Sequence, residues 1–175
     1  MKKFNISLNG YDKQEVNDFM HDYCKESLMK KVVEKVLIYP GVSTPRQVKK
    51  LINAFINNYM IAYKRESSGK IKKGLLTNES GAMQIAVISV LQSDFNYFYD
   101  LLFKDYACIE KLVSVHQGQL DYSILPNYLR KFFNQTKTEE GNVSCKLKSE
   151  YETLLNFLIT TKKYMTGNIA PILFL

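Results

Sequence analysis

Apolar positions along this chain recur mostly at three- and four-residue spacing, the period of a helix with one buried face. The exception lies at the start, where Phe4, Ile6 and Leu8 alternate with Asn5, Ser7 and Asn9 and predict one short strand. Gly10-Tyr11 then turns the chain. Asp12, with Glu15 three residues on, makes a D-x-x-E helix start, and Val16, Phe19, Met20 and Tyr23 supply the buried stripe. The stripe continues through Leu28, Val32, Val33 and Val36, so the pattern predicts a helix running to Tyr39-Pro40-Gly41.

The stretch STPRQVKKLINAFI, residues 43–56, opens the next helix. Ser43 or Thr44 is placed to cap it, and Pro45 takes the first-turn position, where its missing N–H costs nothing. Val48, Leu51, Ile52, Phe55, Ile56, Tyr59 and Tyr63 form the inward stripe, while Arg46, Lys49, Lys50 and Asn53 fall largely off it. Residues 65–80, RESSGKIKKGLLTNES, are polar, basic and punctuated by glycine, the composition of a loop free to move.

Residues 81–91 are apolar on nearly every side and predict the most buried helix, broken at Gln92-Ser93-Asp94. An aromatic helix follows over 95–103, a short one from Cys108 to Val113, another from Ile124 to Phe133, and a last one from Ser149 to Tyr164. A second polar loop is expected over 136–146. Gly167 and Pro171 release the apolar tail IAPILFL, expected to be a docking edge or the mark of a truncation. These elements predict one all-α domain over 1–175, an irregular bundle of about seven helices with one short N-terminal strand.

Composition narrows the picture. With 175 residues and 46% hydrophobic content the chain is long enough for a real core. No run reaches the 18 or more apolar residues of a membrane span, and polar residues replace the apolar core of a signal peptide after Met1-Lys2-Lys3, so no membrane partner is expected. Three widely separated cysteines, Cys24, Cys108 and Cys145, argue for a reducing, cytoplasmic setting with ordinary thiols.

The net charge of +7 is local. Residues 43–73 hold eight cations (Arg46, Lys49, Lys50, Lys64, Arg65, Lys70, Lys72, Lys73) against the single acid Glu66, and the rest of the chain balances. An anionic partner is therefore expected on this segment. Arg46 is its sharpest feature. A guanidinium in the first turn sits at the positive end of the helix dipole, a conflict of about 0.3–1 kcal/mol unless an anion pairs with it.

Other chemistry is poorly provided for. The chain contains neither G-x-x-x-x-G-K-[ST] nor G-x-G-x-x-G, so no phosphate loop of its own. His21 and Cys24 are three apart with no second pair at ligand spacing, and His116 stands alone, so no metal site and no catalytic residue is assigned. The twelve Tyr and ten Phe offer stacking surfaces beside the basic segment, but most sit at core spacing.

TPRQVKKLINAF resembles the (N/T)-P-R-x-(V/I)-K-(R/K)-(L/F)-(I/L)-N motif of KAP-type P-loop NTPases and their STAND and YobI-like relatives, where it follows the NTPase core. LQSDFNYFYDLLFKD is similar to the family's aromatic Y-x-L-L-x-D helix, TTKKYMTGNIAPILFL to its closing segment, and KKFNISL to the late strand of its core. The resemblance implies that the chain is the helical lid and C-terminal region of such an ATPase, with Arg46 as the arginine that senses nucleotide phosphate and Lys49 and Lys50 as supporting anion-binding residues. It also implies that ATP and Mg are bound only with a P-loop domain these residues lack, that the isolated chain is not an enzyme, and that its partner is that core or a protein effector, in antiphage defence or signalling. A second likeness joins LNGYDKQEVNDFM to the start of DivIVA-like division proteins, whose long heptads do not follow here. Two alternatives stand beside these: a nucleic-acid-binding helical module using 43–73, and a protein-interaction scaffold.

Overall fold

A computed structural model describes residues 13–137 and 143–165. The expected N-terminal strand, the Asp12 cap and the apolar tail lie outside the described residues. Among those described, the fold is all-α: eight helices in an irregular bundle, with one small antiparallel hairpin.

Helix α1 (Lys13–Asp22) and α2 (Glu26–Val32) are separate, where the apolar stripe predicted one helix. The chain breaks at Tyr23–Lys25 without proline or glycine. The tertiary reason is aromatic: Tyr23 stacks on Phe19 at 5.8 Å between ring centroids and meets Tyr63 at 4.8 Å. Beyond α2 the helix widens into a π-turn, Val33–Leu37, before Ile38 leaves it in an extended conformation.

Helix α3 (Pro45–Ser67) spans about 33 Å at 1.5 Å per residue and is the longest element. Thr44 caps it in a full capping box: its Oγ1 accepts from the Gln47 backbone N–H, and Gln47 Oε1 accepts from the Thr44 N–H at 3.0 Å. Helix α4 (Glu79–Asp94) extends beyond the predicted 81–91 at both ends, because Asn78 caps it through the Gly81 N–H and Gln92-Ser93-Asp94 stay helical. Every residue from Gly81 to Leu91 except Gln84 is buried, so α4 is the centre of the core. It packs along α3, and the pair shares a buried polar link in which Asn58 Nδ2 donates to Ser89 Oγ at 2.9 Å and to Gln92 Oε1 at 2.7 Å.

Helices α5 (Asn96–Leu102), α6 (Cys108–His116), α7 (Asn127–Arg130) and α8 (Glu152–Thr161) close the bundle. Asp105, in the turn before α6, ties α6 to α7 by accepting from Lys111 Nζ and Tyr128 OH, both at 2.7 Å. Burial pushes its carboxyl up, but these two bonds and the Ala107 N–H outweigh that and hold it below the usual range.

Two sequence expectations are corrected between α7 and α8. The helix expected to reach Phe133 ends at Arg130, and the loop expected over 136–146 contains strand residues. Phe133–Lys137 (β1) pairs antiparallel with Val143–Leu147 (β2), Phe133 opposite Leu147 and Gln135 opposite Cys145. Phe133 and Leu147 are buried and Phe132 packs edge-on to Phe98, so the hairpin is tied to the core at the Phe133–Leu147 pair.

The energetic centre of gravity is α4. Ile88→Ala is expected to lower stability by about 2–5 kcal/mol, the cost of a core cavity, as a shift of the urea midpoint at unchanged slope.

Candidate anion-binding surfaces

The basic segment is not one patch. Arg46, Lys49 and Lys50 lie on the first turns of α3, and Lys64, Arg65, Lys70, Lys72 and Lys73 lie at its far end and on the loop beyond. From Arg46 to Lys64 is about 27 Å along the helix axis.

At the N-terminal end, Arg46 and Lys49 are exposed and make no side-chain bond among the described residues. Lys50 is engaged: its Nζ donates to the Ser93 carbonyl at 2.9 Å and pairs with Asp94 Oδ1 at 3.0 Å. Asp94 Oδ2 accepts from Tyr39 OH at 2.9 Å. Burial, then this bond, push the Tyr39 hydroxyl above its ordinary range. Lys50 thus complements the negative end of the α4 dipole and locks the α3 start against the α4 end. At the same helix start, Ile38, Val42, Pro45 and Val48 with Ser43 and Thr44 form an apolar groove of about 400 Å³. Ile38 is 54% exposed.

The far end is organised by Glu66, which is 7% exposed although it is the single acid of the basic segment. One carboxylate oxygen accepts from the Thr77 N–H at 3.1 Å and from the Leu76 N–H. The other accepts from the Gly74 N–H at 3.1 Å and from Thr77 Oγ1 at 2.5 Å. Charge-assisted bonds to backbone N–H groups are among the stronger neutral-to-ion contacts, and these four fasten the loop to the end of α3.

The rest of the loop follows from local chemistry. Helix α3 ends in a Schellman motif: Lys70 N–H reaches the Arg65 carbonyl at 2.9 Å, Gly69 N–H reaches the Glu66 carbonyl at 3.1 Å, and Gly69 takes φ +71°. Leu76 is buried, Tyr59 OH donates to the Thr77 carbonyl at 3.2 Å, and Asn78 begins α4. Gly81 is required here, since a Cβ would collide with the Leu76 backbone.

Glu66 was not among the candidates read from sequence, yet it carries the mirror image of the signal that marked Arg46. An acid in the last turn of a helix faces the negative end of the dipole, so it is disfavoured unless donors surround it. At Glu66 those donors are the loop's own amides. At Arg46 the conflict stays open among the described residues.

The remaining candidates come apart. His21 is exposed and bonds Asp22, Cys24 is half-buried, and no group of three metal-ligating side chains occurs among the described residues. All three cysteines are free thiols; burial pushes Cys24 and Cys108 up to about 12, which makes both poor nucleophiles. His116 is exposed at the end of α6. Tyr59 belongs to the core and Tyr63 packs on it, whereas Tyr97, Phe103 and Tyr106 remain exposed. No helix among the described residues is long and apolar enough to cross a membrane.

Comparison with protein-family models, with curated proteins and with solved structures returns no match for this chain.

Glu66→Ala strands three backbone donors around a buried carboxylate site. It is expected to lower the free energy of unfolding by at least about 1–3 kcal/mol, read by urea titration against Glu79→Ala, which removes only the exposed pair with Lys31 and is expected to cost less than about 1 kcal/mol.

Proposed function

We propose that the chain is the helical lid of a KAP- or STAND-like ATPase, with the start of α3 facing a nucleotide-holding P-loop domain supplied from outside these residues. The observation that carries this is an unspent guanidinium in the first turn of a braced helix whose start also lines an apolar groove. Arg46 projects from a helix start that is capped at Thr44 and braced through Lys50 to Asp94, so its backbone is fixed while its side chain has no bond among the described residues. Ile38, Val42, Pro45 and Val48 form an apolar surface at the same helix start, a docking surface for a protein partner. The resemblance of TPRQVKKLINAF to the family motif puts its arginine at this position.

In this role Arg46 supplies a planar, permanently charged donor to phosphate oxygens as charge develops on them, and the helix dipole adds to the field. Lys49 contributes charge nearby. Lys50 braces the helix start. ATP and Mg would be held by the partner domain, and lid movement would pass nucleotide state to an effector.

The test is ATP turnover by this chain together with its P-loop domain. Arg46→Ala is expected to slow turnover by roughly 10²-fold or more, the loss typical of one preorganised transition-state donor, with the urea midpoint unchanged. Equal turnover in wild type and variant would remove the sensor assignment.

A further inference from the structure

We infer that the loop fastened by Glu66 is a second, separate anion site, a preformed platform for the phosphate backbone of nucleic acid. Arg65, Lys70, Lys72 and Lys73 carry it. Lys70, Lys72 and Lys73 are exposed, and none of the four makes a side-chain bond among the described residues. The decisive observation is where the neutralising charge has gone. The one acid between residues 64 and 78 turns inward and spends both carboxylate oxygens on Gly74, Leu76 and Thr77. Three exposed lysines and the half-buried Arg65 are therefore left with no exposed acid in their own segment.

The same contacts make the platform rigid. Bonds at Gly74, Leu76 and Thr77 and the Schellman turn at Gly69 fix both ends of the loop, so the three lysines ride on a backbone whose ordering entropy is already lost in folding. The chemistry selects a water-soluble phosphate polymer. Point-charge donors without a pocket read phosphate rather than a particular side chain or base. A membrane surface would need an insertable apolar face, and here Leu76 is fully buried, Ile71 is half-buried and only Leu75 is partly exposed. The platform stands independently of Arg46, about 27 Å away along α3.

The test is fluorescence anisotropy of labelled 20-nucleotide single-stranded and duplex DNA with the full chain, from 50 to 200 mM salt. Engagement of three to four phosphates predicts a roughly 40- to 150-fold loss of affinity for the duplex and a roughly 20- to 50-fold loss for the single strand over that range, with little dependence on sequence. Lys70→Ala, Lys72→Ala and Lys73→Ala together are expected to abolish binding, while Arg46→Ala changes affinity less than about twofold, since it contributes no contact in this account. All of these positions are exposed, and a circular dichroism melt confirms that each variant is folded. Absence of binding at 50 mM salt, binding that survives the triple variant, or binding to phosphatidylserine vesicles without binding to DNA would each overturn the assignment.

Discussion

A buried carboxylate at the end of the longest helix is the constraint on which the basic face and the start of the core helix both depend. Glu66 sits where the dipole of α3 disfavours it and where burial penalises its charge, and four donors from one loop offset both costs. The loop cannot relax independently of α4. Leu76 is buried beneath it, its backbone abuts Gly81, and Asn78 caps the first turn of α4. One side chain thus joins the end of α3 to the beginning of the element around which the core is packed.

The other end of α3 is held by the complementary pairing. Lys50 meets the Ser93 carbonyl and Asp94 at the end of α4, and Tyr39 completes that junction from the segment before α3. The long helix is therefore pinned at both ends by charge and along its length by Phe55, Tyr59 and the Asn58 link. Its outward face keeps cations at the two ends, separated by the exposed amides Asn53 and Asn57. A segment that is one basic block in sequence becomes two surfaces in space.

Much of this was legible in advance where local chemistry decides. A cap at Ser43 or Thr44 with Pro45, the inward stripe of α3 and the burial of α4 follow from residue type and spacing, and the structure selects Thr44. What escaped was decided by tertiary contact. The break between α1 and α2 has no proline or glycine to announce it and exists to seat Tyr23 against Phe19 and Tyr63. In the hairpin, VSCKL alternates Val143, Cys145 and Leu147 with Ser144 and Lys146, but FNQTK has no matching alternation, so the pairing was not legible from one short strand. Lys50 read as an anion-binding helper, since a sequence does not show that Asp94 lies one helix away. Glu66 was visible as the lone acid of the segment, but its role depends on the loop folding back eight to eleven residues later. The apolar groove at the start of α3 could not be foreseen, because Ile38 leaves a π-turn that periodicity does not encode.

The central claim is that Glu66 turns a glycine-rich basic loop into a fixed part of the core. Residue-resolved amide hydrogen exchange on the wild-type chain tests it most directly. The Leu76 and Thr77 amides, bonded to Glu66, are predicted to exchange as slowly as the buried amides in the middle of α4, opening only with the whole fold, while the Lys72 and Lys73 amides exchange fast. Exchange of Leu76 and Thr77 at the rate of Lys72 and Lys73 would contradict the account.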